Sequence, residues 1–152
     1  MKKRNRKILR GFSWICFIIY LICMVYFLFF SERMGRIPTD TYHYNLTPFA
    51  EIGRYVHHID QIGYYNVIIN LVGNVVCFVP LGLVLPILMT QKNRFFSSVG
   101  ICFLSSVFVE VLQLLTRLGT CDIDDVLMNT LGGLIGCILF YIFRGIYHIK
   151  KK

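Results

Sequence analysis

The chain has 152 residues, of which 56% are hydrophobic and only 16% are charged, and this composition excludes an ordinary soluble domain of that length. The formal net charge of +8 comes mainly from basic residues that flank apolar segments, so it gives no reason to expect a nucleic-acid partner. Four apolar runs of roughly membrane-spanning length predict one all-α integral membrane domain over residues 1–152, with four transmembrane helices. None of the runs alternates apolar and polar residues as the strands of a barrel do.

The first predicted helix covers about residues 11–30. Six basic residues precede it, as they would precede a signal peptide, but the apolar run is longer than the about 7 to 15 residues of such a peptide and lacks a small-residue cleavage site. We therefore expect a retained anchor, followed by an outward loop at residues 31–66.

The second predicted helix covers about residues 67–89. Asn70 and Asn74 lie four residues apart near its outer end, and buried asparagines are costly unless they find partners. Pro80 removes a hydrogen-bond donor and frees the carbonyl of Val76, which predicts a kink near the middle of the helix.

The third predicted helix covers about residues 95–117 and carries one polar face. Ser106, Glu110, Gln113 and Arg117 are spaced by four, three and four residues, so they lie above one another on the helix. Such a face turns toward protein or water and away from lipid. Glu110 and Arg117 either form a structural ion pair, directly or through Gln113, or contact a ligand, and both roles can hold at once.

A short acidic loop precedes the fourth predicted helix, at about residues 126–147. Asp122 and Asp125 have the spacing of an N-cap residue and an acidic residue at the third helical position. Asp124 is a third carboxylate that a cap does not require.

The fourth helix continues the polar face of its predecessor. Asp125, Asn129, Gly132 and Gly136 are spaced by four, three and four residues. The two glycines allow another helix backbone to approach closely, which would bring Asn129 near its neighbour.

The basic residues predict the orientation of the helices. With both termini and the turn at residues 91–94 in the cytoplasm, twelve of the sixteen basic residues lie on the cytoplasmic side. The polar residues of three helices then meet in one layer at the outer surface. We expect a ligand-binding site there, formed by Asn70, Asn74, Glu110, Gln113, Arg117, Asp122, Asp124, Asp125 and Asn129.

Other chemistry has weaker support from the sequence. The carboxylates of Glu110 and the three aspartates suit a divalent cation, but their spacing is not that of a calcium loop, and we predict no metal or other cofactor. No serine, cysteine and histidine grouping indicates a nucleophile, and no glycine-rich phosphate loop is present. If the protein is an enzyme, its candidate catalytic residues are Glu110, Asp122 and Asp125.

Several segments in order resemble the VanZ-like family of bacterial membrane proteins. The segments are Asn45-Leu-Thr-Pro-Phe49, Asn70-Leu-Val-Gly-Asn74, Phe78-Val-Pro-Leu-Gly82, Glu110-Val-Leu-Gln113, Asp122-Ile-Asp-Asp-Val126 and Asn129-Thr-Leu-Gly-Gly133. The resemblance covers residues 45–140. It implies a multi-pass protein of the bacterial cytoplasmic membrane with four helices, linked in some members to low-level resistance to the lipid-bearing glycopeptide teicoplanin.

Three functions follow as hypotheses. The first is a non-enzymatic envelope protein that binds a lipid-linked or lipid-anchored anionic ligand, such as a cell-wall precursor or lipoglycopeptide, through Arg117 in the outer leaflet. The second is an intramembrane enzyme on a cell-wall precursor or phospholipid, with Glu110 as general acid or base. The third is a helper subunit that packs its glycine face against another membrane protein or a second copy of itself.

Overall fold

The computed structural model of the chain describes residues 14, 15, 17–26, 41–89 and 93–149. Three helices in this part are long and apolar enough to cross a membrane, so the protein is an all-α membrane protein, as predicted. The elements in chain order are α1 (Phe17–Tyr26), β1 (His43–Asn45), α2 (Ala50–His57), α3 (Ile59–Ile62), α4 (Tyr64–Leu88), α5 (Arg94–Thr116), β2 (Thr120–Asp122) and α6 (Ile123–Ile149).

The first predicted span is only partly covered by this description. Of residues 11–30, the structure describes positions 14, 15 and 17–26, and the rest lie outside the described residues. The basic residues before this span, loop residues 31–40, Lys92 and the C-terminal lysines also lie outside them.

The long helices begin earlier than the apolar runs do. The helix α4 begins at Tyr64 rather than at residue 67, directly after Gly63, whose φ of 86° lies in the region that glycine enters without steric cost. The helix α6 begins at Ile123 rather than at residue 126, so Asp124 and Asp125 belong to its first turn. Hydropathy marks where a helix becomes apolar, and the polar first turn is missed for that reason.

The predicted outward loop at residues 31–66 contains secondary structure. It includes β1, α2 and α3, and β1 pairs in parallel with β2 so that Asn45 lies opposite Asp122. Each strand has three residues, which is too short for an alternating pattern to be recognised in the sequence. The pairing connects the loop to the residues that start α6.

Glycines form the contact between α4 and α6. A Cβ atom at Gly132 would clash with the backbone of Val75, and one at Gly136 would clash with the backbone of Val79. From the other side, a Cβ at Gly82 would clash with the backbone of Gly133. The predicted close approach is confirmed, because the two backbones meet where side chains are missing. The glycine face is covered by α4 of the same chain, so it is not the seam for a partner that the helper-subunit hypothesis assumed.

A cysteine replaces a hydrogen bond that proline removes from α4. Pro86 has no N–H, so the Gly82 carbonyl four residues earlier lacks its helical donor. The Cys137 thiol donates to this carbonyl over 3.1 Å. Both Pro80 and Pro86 lie inside α4, which continues through them from Tyr64 to Leu88.

The helix α1 packs against α4 through its aromatic residues. The Tyr20 hydroxyl donates to the backbone carbonyl of Cys77. Phe17 and Met24 pack with Tyr20 against the buried cluster that includes Phe78 and Leu81. A polar group in apolar surroundings is thus satisfied by a backbone acceptor on the neighbouring helix.

Candidate functional site

The polar layer is built around the start of α6. Asp122 precedes the helix, and its Oδ1 accepts the backbone N–H of Asp124 over 2.8 Å. This is the N-cap contact that the sequence predicts, and it satisfies one of the amide groups left free at a helix start. The predicted capping role of Asp122 is confirmed.

Asp122 is 5% exposed and lies among other charged and polar groups. Burial above all, together with the charges of Asp125 and Glu51, raises the pKa of its carboxyl to about 6. The backbone N–H of Asp124 and the Asn45 side chain oppose this rise by hydrogen bonding to the ionised form. The Asn45 Nδ2 lies 3.4 Å from each Asp122 oxygen, so Asn45 joins the layer although the site prediction omitted it.

Asp124 caps a different helix from its own. Its carboxylate accepts the backbone N–H groups of Phe49, Glu51 and Ile52, over 2.5, 2.9 and 3.1 Å, at the start of α2. The residue before α2, Phe49, makes no side-chain cap and has a φ of 64°. A buried carboxylate from α6 therefore supplies the acceptor and the negative charge that the N-terminus of α2 needs.

Glu110 connects α5 to the start of α6. It is 2% exposed, and its Oε2 accepts the backbone N–H of Asp122 over 2.9 Å. Asp122 thus receives backbone support from Glu110 while its own carboxylate supports α6. The predicted proximity of Glu110 to the aspartates is observed, and its role at this position is to hold a backbone amide.

Two asparagines, Asn74 and Asn129, connect the three long helices to one another. The Asn74 Nδ2 donates to Asp125 Oδ1 over 2.5 Å, joining α4 to α6, and the Asn129 Nδ2 donates to Ser106 Oγ over 2.9 Å, joining α6 to α5. Asn74 and Asn129 are 2% and 0% exposed. Their Oδ1 atoms find no hydrogen-bond partner among the described residues, so the layer has acceptor capacity beyond these contacts.

Two predicted site residues, Asn70 and Arg117, do not join this network. The place of a third, Gln113, is less defined. The Asn70 side chain donates to the backbone carbonyl of Asn66 on its own helix over 2.9 Å. Gln113 is fully buried on α5, on the face predicted for it. Arg117 lies at the edge of the layer and is exposed.

The Arg117 guanidinium contacts an aromatic ring. Its Cζ lies 4.5 Å from the centroid of the Tyr42 ring, and its Nη2 lies 3.3 Å from the Tyr42 hydroxyl. Arg117 ends α5 with a left-handed backbone, at φ 56°, which directs the chain toward β2. In the described part of the chain this guanidinium contacts Tyr42 and no carboxylate, so the ion pair with Glu110, which was one of the two alternatives for these residues, is not what holds it.

The four carboxylates of the layer are distributed over different donors. Glu110, Asp122 and Asp124 each accept backbone N–H groups, and Asp125 accepts the Asn74 amide. Within the described ranges, no three His, Cys, Asp or Glu side chains are grouped to hold a metal ion. This arrangement gives the carboxylates positions at helix ends, where they satisfy donors of the chain itself.

Two contacts of the layer could not be found from the sequence alone. One is the hydrogen bonding of the Asp124 carboxylate to the start of α2, and the other is the contact of Arg117 with the Tyr42 ring. Each joins residues more than 70 positions apart. One local signal was the presence of Asp124 as a carboxylate that a cap does not require. Asn45 carried a second signal, because its Oδ1 accepts the N–H of Thr47 in a turn that its sequence favours.

Comparison with known proteins agrees with the resemblance seen in the sequence. A family model described as VanZ/LLP1 matches residues 17–144. The chain is 28% identical over 125 residues to Protein VanZ of Enterococcus faecium, an alignment that covers 80% of this chain and 69% of that protein. No solved structure matches the chain. The range matched by the family model contains every residue of the polar layer.

Proposed function

Because the chain belongs to the VanZ/LLP1 family, we propose that it binds an anionic, lipid-anchored ligand at the outer leaflet of the bacterial cytoplasmic membrane and so raises tolerance to teicoplanin. Lipid-linked cell-wall precursors and lipoglycopeptides both combine an acyl chain with a negatively charged polar part. The exposed guanidinium of Arg117, placed beside lipid, suits either of them.

The observation that carries this proposal is the state of Arg117. Its guanidinium is exposed, lies over the Tyr42 ring and contacts no carboxylate of the described chain. Among the described residues, the other exposed arginine on this side is Arg54, which is paired with Glu51 over 2.6 Å. Arg117 therefore offers a planar cation, already oriented by an aromatic ring, to a phosphate or carboxylate.

The rest of the polar layer holds Arg117 and Tyr42, called the binding edge here, in position. Glu110 and Asp122 position β2 and the start of α6, and the pairing of β1 with β2 places Tyr42 beside Arg117. These carboxylates have structural hydrogen bonds, which is why the proposal does not extend to catalysis. In the proposed function they act by holding the binding edge in place.

The proposed topology has four spans with both termini in the cytoplasm. The support is the basic residues at both ends of the chain and the acidic residues at the opposite surface. Labelling of Cys121 with a membrane-impermeant thiol reagent in intact cells tests this orientation, with a Cys121→Ser variant as control. Burial and the nearby Glu110 and Asp122 charges raise the pKa of the Cys121 thiol, so the labelling is done at alkaline pH. Labelling only after permeabilisation would contradict the outward site.

The test of the ligand uses two matched arginines. Protein in lipid nanodiscs is titrated with teicoplanin, comparing Arg117→Ala with Arg54→Ala. We expect Arg117→Ala to weaken binding about 10- to 100-fold, since it removes a charge-assisted contact, and Arg54→Ala to bind like the wild type. In cells with equal protein levels, the Arg117→Ala variant alone loses tolerance. Unchanged binding by Arg117→Ala would refute the proposed site.

A further inference from the structure

Residues 42–62, called the outer segment here, carry apolar side chains that the rest of the described chain does not cover. Tyr44, Leu46, Phe49 and Val56 are each 60% to 67% exposed. None of the residues of α2 and α3 is buried. So much uncovered apolar surface outside the spanning helices requires an explanation.

Both ends of the outer segment are attached at the level where helices enter the membrane. At its start, β1 pairs with β2, the strand that leads directly into α6, and further along the N–H groups of Phe49 and Ile52 are bound by Asp124, the second residue of α6. At its end, α3 passes through Gly63 directly into Tyr64, the first residue of α4. Since α4 and α6 are membrane-spanning by length and composition, these attachments keep the segment at the level where both helices begin.

The helix α2 has the two-sided character of a helix that lies in the plane of a membrane surface. Ile52, Tyr55 and Val56 occupy one side, and Glu51 and Arg54 occupy the other. Ile52 and Tyr55 are half-buried against the protein, while Val56 remains exposed at the edge of the apolar side. The apolar side is thus shared between the protein and its surroundings, and the charged side is left for water.

The next helix begins with the same chemistry. Tyr64 and Tyr65 are 64% and 65% exposed in the first turn of α4. Tyrosine is typical of the boundary between lipid tails and water, where its ring is apolar and its hydroxyl is hydrated. The exposed side chains of the outer segment are therefore continuous with an aromatic zone at the entry of a spanning helix.

We propose that the outer segment lies in the bilayer interface, with Leu46, Phe49 and Val56 inserted among the lipid acyl chains next to the headgroups. The occupant of this apolar surface is lipid, rather than a protein partner or a second copy of the chain. The inference does not depend on the ligand proposed for Arg117, because it follows from the attachment of the segment and from its exposed side chains.

Fluorescence of single tryptophans tests this placement. In full-length protein carrying Trp14→Phe, a tryptophan is introduced by Leu46→Trp, by Val56→Trp or, as the matched control, by His57→Trp on the charged side of the same helix. Each variant is reconstituted at low protein density into phosphatidylglycerol and phosphatidylethanolamine vesicles. Quenching is measured with lipids brominated on the acyl chain and with iodide present on both sides of the membrane.

We expect the tryptophans at positions 46 and 56 to lose most of their emission with brominated lipid and little with iodide, and the tryptophan at position 57 to behave in the opposite way. Strong iodide quenching at all three positions would place the segment in water and overturn the proposal. Weak quenching by both agents at positions 46 and 56 would show a protein cover, and would overturn it as well. Retained helical circular dichroism confirms that each variant is folded.

Discussion

Two neighbouring regions at one end of the helix bundle use their charges differently. In the polar layer, the carboxylates of Glu110, Asp122 and Asp124 are buried and accept backbone N–H groups at helix starts. At the edge of that layer, the Arg117 guanidinium is exposed and lies over a tyrosine ring. Proximity in a polar layer therefore does not indicate a shared role, since one region completes the fold and the other is the ligand contact that we propose.

Removing the Asp124 carboxylate is expected to have the largest effect on stability. The change Asp124→Ala leaves three backbone N–H groups at the start of α2 without their acceptor and should lower the free energy of unfolding by about 2–4 kcal/mol. Denaturant titration in detergent measures this loss. Asp124→Asn, which keeps one acceptor oxygen, should lose less. A loss below that of a typical surface substitution would show that the layer does not hold the fold.

Asn74→Ala should lower the free energy of unfolding by about 1–2 kcal/mol, because it removes a buried donor to the Asp125 carboxylate. Asn70→Ala is the matched control on the same helix, one turn away. Its side chain donates only to its own helix, so its loss should stay below about 0.5 kcal/mol. The same denaturant titration compares the two. Equal losses would contradict the inclusion of Asn74 and the exclusion of Asn70.

The buried charge of Asp122 predicts a dependence of stability on pH. Its pKa of about 6 lies above its ordinary value of 3.8, so the folded protein binds this proton more tightly than the unfolded chain does. Stability from this group is therefore greatest below about pH 4 and falls as pH rises toward 6. Asp122→Asn keeps the capping oxygen and removes the charge. The variant should be more stable than the wild type at pH 7, and this difference should disappear near pH 4 in thermal melts; a difference independent of pH would contradict the assignment.

The smallest effect on stability is expected at the binding edge, where Tyr42 contacts Arg117. Tyr42→Phe keeps the ring under Arg117 and removes one exposed hydrogen bond. The free energy of unfolding should therefore change by less than about 0.5 kcal/mol. Tyr42→Ala removes the ring as well and should weaken teicoplanin binding in nanodiscs several-fold at similar stability. If both variants destabilise the protein as strongly as Asp124→Ala does, the edge is part of the structural layer and the comparison fails.

The sequence predicts those features whose signals are local. The cap by Asp122 follows from residues within one helical turn, and the close approach of α4 and α6 follows from the spacing of Gly132 and Gly136. Both are confirmed.

The remaining contacts depend on how distant segments meet. Neither the cap of α2 by Asp124 nor the ring of Tyr42 under Arg117 leaves a pattern in the neighbouring residues. Polar spacing placed Asn70 on the same face as Asn74, but its amide bonds its own helix. Spacing indicates which face of a helix a side chain occupies, and the available partners decide what that side chain does.

We propose that Arg117 contacts the ligand while Glu110 supports the fold, and one paired measurement separates these two roles. Teicoplanin binding per folded molecule and the free energy of unfolding are measured together for Arg117→Ala and Glu110→Gln in nanodiscs. We expect Arg117→Ala to lose binding at unchanged stability, and Glu110→Gln, whose amide oxygen can still accept the Asp122 N–H, to keep binding. Binding that survives Arg117→Ala and is abolished by Glu110→Gln would contradict this proposal.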